Sequence, residues 1–230
     1  MTSKKFNPWS FPIIGHFLMA VEKRRFRLLL GMLLLLLFTL PLLQQSTLGE
    51  LLVKGMFVLI LIGTVRAAEP DERSVLYIII LGIAWLILSF TYDVSPNKFI
   101  EAVQVAVILI LGIMVFWYAV YDVALSDKAD IDSLAAVVFG YFLLGTLWAF
   151  FYAQIEILAP GSFKLPGDGP VFVELTYFSF VTLTTLGYGD ITATSAFARN
   201  CSALQAAMGV LYLAVFIARI ITVYRSREND

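Results

Sequence analysis

The stretch F-S-F-V-T-L-T-T-L-G-Y-G-D, residues 178–190, decides how this chain is interpreted. It is apolar at first, then turns to threonine, and ends with two glycines around Tyr188 followed by Asp190. Glycine has no Cβ, so it lets backbone carbonyls approach an axis or a ligand closely. Irregular backbone at membrane depth is tolerated only where protein buries it or where it lines a watery cavity. The stretch therefore predicts a cavity lined by backbone, provided that the chain lies in a membrane.

The composition places the chain in a membrane. Its 230 residues are 60% hydrophobic and only 14% charged, whereas soluble domains carry about 25% charged residues. A net charge of −1 gives no general attraction to nucleic acid. The single cysteine, Cys201, and the single histidine, His16, exclude an intrachain disulfide framework and a Cys- or His-based metal centre within one chain. We expect a membrane protein that is not an enzyme, with no cofactor and no nucleic acid partner.

Uncharged runs mark the predicted spans, because a membrane helix needs about 20 apolar residues. Five runs meet or approach this length, and a sixth, 55–65, does so only if Lys54 and Arg66 lie at the two membrane faces. The run 175–189 is too short and holds the glycines, so we interpret it as re-entrant. The prediction is an all-α membrane protein with six transmembrane helices. The predicted spans lie within residues 28–49, 55–65, 74–92, 102–121, 133–155 and 200–218.

The distribution of positive charge predicts the orientation. If six spans alternate, twelve of the 16 lysines and arginines fall on one side and four on the other. Cytoplasmic loops carry the excess of positive charge, so both termini are predicted to be cytoplasmic. We interpret 1–27 as a cytoplasmic or interfacial segment that stays attached, because its apolar continuation is too long for a signal peptide and lacks a small-residue cleavage site. A loose tail is the alternative to an interfacial anchor.

The seven residues T-T-L-G-Y-G-D, 184–190, form a recognisable motif. Carbonyls repeated around a symmetry axis can replace the water shell of a monovalent cation, as four T-V-G-Y-G loops do in potassium filters. Here Leu186 takes the place of the valine, and Gly169-Pro170 precedes a short apolar segment with a helix-start signal. The region from about 134 to 225 resembles the pore module of tetrameric potassium channels of the bacterial type. The resemblance implies an outer helix, a re-entrant pore helix, a selectivity filter and an inner helix.

The resemblance also implies roles for individual residues. Potassium would bind at the backbone carbonyls of Thr185, Leu186, Gly187 and Tyr188, with the Thr185 hydroxyl at the inner end. Gly189 and Asp190 would form the outer mouth. The pore-helix residues expected to support the filter are Tyr177, Phe178 and Thr184. Some relatives place a glutamate against this aspartate, but this chain has Val181 there, so we expect Asp190 to bond Tyr177 or solvent.

One filter loop per chain lines an axis only in part, so a homotetramer with three identical partner subunits is expected. The predicted domains are 1–27, a four-helix peripheral domain at 28–122, a pore domain at 131–225 and a tail at 226–230. The peripheral domain resembles a voltage sensor in helix count only, because the span 102–121 holds no lysine or arginine. Gly209 is a candidate gating hinge, with close helix packing as the alternative.

The expected function is passive potassium-selective conduction in a prokaryotic plasma membrane. A weakly selective monovalent cation channel, a membrane enzyme and a non-conducting scaffold subunit are the alternatives. Arg219 and Arg225 could contact anionic lipid on the cytoplasmic side, or could simply follow the positive-inside rule. The aspartates at 122, 127, 130 and 132 could bind cations or protons, or form a solvated loop in which Asp132 caps a helix.

Overall fold

A computed structural model describes residues 25–43, 47–68, 72–125, 131–167 and 169–228. These residues are mostly helical. In chain order the elements are α1 (Arg25–Leu43), α2 (Thr47–Ala68), α3 (Glu72–Val94), α4 (Lys98–Leu125), α5 (Ile131–Leu158), β1 (Phe163–Lys164), α6 (Val171–Leu183), β2 (Thr192–Ala193) and α7 (Ala196–Glu228). The predicted interfacial segment before Arg25 and the linker 126–130 lie outside the described residues, and so do two of the four clustered aspartates.

Five of the described helices are long and apolar enough to cross a membrane, namely α1, α3, α4, α5 and α7. The predicted span 55–65 lies within the 22-residue helix α2, but the apolar stretch of this helix, Leu52–Thr64, is shorter than a typical span. The first span was predicted to continue too far. Helix α1 ends at Leu43, two residues after Pro41, and Gly49 belongs to α2. An uncharged run is not one continuous helix where a proline and polar residues interrupt it.

Helices α1–α4, the peripheral bundle, pack against the outer helix α5 of the same chain through α1 and α4. Gly112 lets α4 approach α5 closely, because a Cβ at this position would collide with the side chain of Leu147. The fully buried side chains of this contact are Leu29 and Leu33 of α1, Ile108, Leu111 and Val115 of α4, and Phe139 of α5. The bundle is therefore joined to α5 by a continuous apolar core.

Asp132 ties the start of α5 to the N-terminal end of α1. Its carboxylate accepts hydrogen bonds from the backbone amides of Phe26 (3.3 Å) and Arg27 (3.4 Å), and from Arg27 Nε at 3.4 Å. A carboxylate satisfies the unpaired amides of a helix N-terminus and complements its dipole. The hypothesis that Asp132 caps its own helix was therefore wrong, because Asp132 lies in the first turn of α5 and caps α1.

Helices α5, α6 and α7, here called the pore segment after the predicted pore domain, are joined by a short antiparallel ribbon. Phe163 of β1 lies opposite Ala193 of β2, and Lys164 lies opposite Thr192. The ring of Phe163 packs edge-on against Tyr152 and Phe178, with centroid distances of 5.3 Å to each. The ribbon thus connects the chain after α5 to the chain after residues 185–190, which are held between α6 and α7.

Candidate ion-conduction site

The short helix α6 leads into the glycine-containing stretch. It runs from Val171 to Leu183, with Pro170 as its N-cap and Thr184 as its C-cap. The Gly169-Pro170 signal predicted that a helix begins here, and the structure places Pro170 just before the first turn and Thr184 just after the last. Phe178 is buried against Tyr152 of α5, with ring centroids 5.2 Å apart. Of the two aromatic residues predicted to support the stretch, Phe178 therefore packs on the outer helix, while Tyr177 is exposed.

Residues 185–189, the candidate filter segment, begin as the C-terminal cap of α6. The amide of Leu186 donates to the carbonyl of Val181 at 2.9 Å, and the amide of Thr185 donates to Thr182 at 3.0 Å. This pair of bonds is the Schellman pattern, in which the residue after the C-cap adopts the left-handed conformation. Glycine usually takes that place, but here it is Thr185, with φ of +58°. A β-branched residue in this region is a true outlier and marks a backbone held by its surroundings.

The sign of φ alternates along the backbone of the candidate filter segment. Thr185, Gly187 and Gly189 have φ values of +58°, +62° and +79°, whereas Leu186 and Tyr188 do not have positive φ. In such an alternating backbone the successive amides face one side, so the carbonyls face the other. The amides of Thr185, Leu186 and Gly187 all donate back to α6. Among the described residues, no group donates to the carbonyls of residues 185–188, so their lone pairs are available to a ligand.

Asp190 closes the stretch at its outer end. Its Oδ2 accepts a hydrogen bond from the hydroxyl of Tyr177 at 2.7 Å. The first of the two expected partners of Asp190, Tyr177 rather than solvent, is therefore present. This hydrogen bond holds the pKa of the Asp190 carboxyl below its ordinary value, and backbone amides act in the same direction. The bond fixes the end of the stretch to α6, so both ends are anchored to the same helix.

A buried polar network lies behind this arrangement. The hydroxyl of Tyr152 donates to Gln205 Oε1 at 2.6 Å, and Gln205 Nε2 donates to Ser179 Oγ at 2.7 Å. Ser179 in turn donates to the carbonyl of Gly145 at 2.7 Å. All three side chains are fully buried. Because Tyr152 belongs to α5, Ser179 to α6 and Gln205 to α7, one amide joins the three helices of the pore segment.

Gln205 was not among the residues predicted to form the site, although the sequence carries a signal for it. It is the lone glutamine in the run 200–218, which is otherwise mostly apolar. A polar side chain inside a membrane helix requires a partner, so an isolated glutamine predicts an interhelical bond. Glu156 stabilises the turn that follows α5, because its carboxylate accepts hydrogen bonds from the amides of Gly161 at 2.7 Å and Phe163 at 3.1 Å.

Gly209, the candidate hinge, lies inside the continuous helix α7 and directly under the end of α6. A Cβ at Gly209 would overlap the carbonyl oxygen of Leu183. The same carbonyl accepts a hydrogen bond from the hydroxyl of Tyr141 at 3.3 Å. Gly209 therefore permits α7 to touch the last turn before the candidate filter segment. This gives Gly209 a packing role, while the hinge stays a prediction.

The candidate filter segment lies on the surface of the single chain. Residues 184–190 are all exposed, and the exposed fractions reach 55% for Leu186 and 68% for Tyr188. Helix α7 buries one face, which carries Gln205, Gly209 and Tyr212, against the rest of the chain. Its other faces expose Phe197, Leu204, Val210, Leu211, Val215 and Ile217. One chain thus presents a row of carbonyls beside a wide apolar surface.

Comparison with known proteins gives one match. Residues 136–226, which include α5, α6 and α7 almost completely, match the family model described as ion channel. No curated protein and no solved structure matches the chain. The family match and the apolar helices together support an ion channel in a multi-pass membrane protein.

Proposed function

We propose that four copies of this chain form a potassium-selective channel, in which residues 185–188 bind the permeant ion through their backbone carbonyls. The observation that carries the proposal is the alternating sign of φ along residues 185–189, together with the amides of residues 185–187 that donate to α6. A dehydrated monovalent cation needs several carbonyl oxygens around it, and one chain supplies only one side of such a cage. Rotation of identical chains around a common axis completes the cage and covers the exposed face beside it.

The surroundings of the segment support selectivity as well as conduction. The C-terminal end of α6 points at the segment, and the negative end of its dipole favours a cation there. The segment is held to α6 on both sides, by the Schellman cap at its start and by the bond from Tyr177 to Asp190, the residue that follows it. A cage that cannot collapse or widen discriminates best between cations of different size. Leu186 does not have positive φ, so its side chain needs no strained backbone, and we propose potassium selectivity despite this substitution.

The central experiment compares two glycines that both have positive φ but lie in different places. Gly187 has φ of +62° and Gly161 has φ of +84°, and neither would bring a Cβ within 4 Å of another residue. An alanine strains the backbone at both sites by about 1–2 kcal/mol. The wild-type protein, Gly187→Ala and the control Gly161→Ala would be reconstituted in liposomes with potassium inside and sodium outside, and the reversal potential of the current would be measured.

We expect a reversal potential close to the potassium equilibrium potential for wild type and for Gly161→Ala. For Gly187→Ala we expect loss of current or a shift toward zero, because a Cβ at this position disturbs the carbonyl cage. A wild-type reversal near zero would contradict selectivity and favour the weakly selective cation channel. Folded protein that carries no current at any pH or lipid composition would contradict conduction and favour the scaffold subunit.

A further inference from the structure

A cavity of about 500 Å³ lies between the peripheral bundle and the pore segment. It is situated at the end of the bundle where α3 turns into α4 and where α6 begins. Lys54 of α2 and Glu101, in the first turn of α4, both line it, and so do Pro170, Val171 and Phe172 at the start of α6. Its occupant would therefore touch α2, α3, α4 and the first turn of the helix that carries the candidate filter segment.

The walls of the cavity combine aromatic rings with a few polar groups. The rings belong to Phe57, Trp85, Tyr92, Phe150 and Phe172. Lys54 and Glu101 contribute opposite charges to the same space, and Gln104 contributes an amide. This is the usual make-up of a ligand site, in which apolar walls supply burial and a few polar groups fix the orientation.

Ser89 provides a separate indication that the cavity takes a ligand. Its side chain is only 1% exposed and lines the cavity, and its hydroxyl has no hydrogen-bond partner within the described part of the chain. Ser and Thr side chains of other described helices, such as Thr64 and Thr91, instead donate to the carbonyl four residues earlier. A buried polar atom without a partner is rare in folded proteins and calls for a group that supplies one.

We propose that this cavity binds the headgroup of a zwitterionic phospholipid that carries a primary ammonium, from the leaflet on the side where α6 begins. The ammonium pairs with the Glu101 carboxylate, and the phosphate lies near Lys54, whose ammonium also lies 5.8 Å from the centre of the Phe90 ring. Lysine has three donor hydrogens, so it can serve the phosphate in addition to its contacts within the chain. Ser89 bonds an ester or phosphate oxygen. The opposite charges in one apolar cavity favour a zwitterion over an anionic lipid.

Binding can be measured through Trp85, which lines the cavity. The protein would be reconstituted in phosphatidylcholine vesicles that contain a brominated phosphatidylethanolamine, or a phosphatidylglycerol with the same brominated chains. Subtracting the fluorescence of Trp85→Phe from that of wild type isolates the quenching of Trp85. We expect stronger quenching by the ethanolamine lipid. Glu101→Gln should weaken its apparent affinity about tenfold, because a charged hydrogen bond is lost.

Lys98→Met is the matched control for Lys54→Met. Lys98 is the exposed first residue of α4, close to Glu101 in sequence but outside the cavity. Lys54→Met should reduce quenching by both lipids, since both carry a phosphate, whereas Lys98→Met should change neither.

Equal quenching by both lipids in wild type would mean ordinary boundary lipid and would overturn the proposal. The same holds if Trp85 is not quenched at all, as when a neighbouring copy fills the cavity. Native mass spectrometry of retained lipid, on variants with unchanged melting temperatures, checks the result without fluorescence. The test involves no ion flux, so its outcome is independent of the conduction experiment.

Discussion

At the scale of single residues, Thr185 has a strained backbone conformation. A threonine with φ of +58° loses about 1–2 kcal/mol relative to the right-handed conformation. Three contributions offset this cost: the two Schellman bonds to α6, the anchoring of Asp190 by Tyr177, and the pairing of strand β2, which begins at Thr192, with β1. Glycine at 185 would be less strained but would lack the hydroxyl that a threonine offers at the inner end of the segment. The strain is thus consistent with a functional demand.

The Tyr177–Asp190 hydrogen bond predicts a dependence on pH. The folded-state pKa of Asp190 is depressed below the ordinary 3.8, so the contribution of the bond is present above that value and lost as pH falls through the folded-state pKa. We expect wild-type potassium flux to persist as pH falls from about 7 to about 4 and to fail only in stronger acid. Tyr177→Phe removes the donor, which raises the pKa of Asp190 and should move the failure to higher pH.

Liposome flux assays from about pH 7 down into the stronger acid below about pH 4 would measure the effect. Tyr77→Phe is a suitable control, because Tyr77 is an exposed tyrosine of α3, away from the pore segment. Identical acid midpoints for wild type and Tyr177→Phe would show that the bond does not hold the outer mouth.

At the scale of secondary-structure elements, the helices of the pore segment could be predicted closely and their connections could not. Uncharged runs and the Gly169-Pro170 signal located α5, α6 and α7, because burial in lipid requires long apolar runs. The ribbon of β1 and β2 has two residues in each strand, too few for any periodic pattern. The positive φ of Thr185 could not be predicted either, since threonine normally avoids positive φ. Both features depend on contacts between distant parts of the chain.

The network around Gln205 predicts coupling among the three pore helices. Tyr152→Phe and Gln205→Leu both remove the bond between α5 and α7, so their destabilisations should not add. We expect a coupling free energy of about 0.5–2 kcal/mol from a double-mutant cycle of unfolding in mixed micelles. Tyr212 offers the matched comparison, because its hydroxyl donates to the carbonyl of Val137 at 2.9 Å and joins the same two helices elsewhere.

The cycle that pairs Tyr152→Phe with Tyr212→Phe should be additive, since the two hydroxyls share no partner. Coupling of equal size in both cycles would show that the mutations act through general loosening of the helices. In that case the bond between Tyr152 and Gln205 would not be a specific link between α5 and α7.

At the scale of the whole molecule, the peripheral bundle is fixed to the pore segment of its own chain. The core between α1, α4 and α5 and the bonds of Asp132 to Phe26 and Arg27 make this junction. The sequence could indicate the number of helices, but not this junction, because Asp132 lies 105 and 106 residues from its partners. Within residues 102–121 the helix α4 carries no lysine or arginine. A sensor that moves in the membrane field needs several such charges, each worth about 2.3 kcal/mol per 100 mV.

The whole molecule is therefore expected to conduct with little dependence on voltage. Macroscopic potassium conductance, measured in planar bilayers between about −100 and +100 mV, should change by less than about threefold, because few charges can cross the field. A steep change would contradict this and would require mobile charges elsewhere. Lys54 and Glu101, which line the cavity beside α6, are the first residues to neutralise in that event. If Lys54→Met or Glu101→Gln then flattened the conductance–voltage curve, the cavity would be the voltage-sensitive element, and the absence of arginine in α4 would not identify a voltage-independent channel.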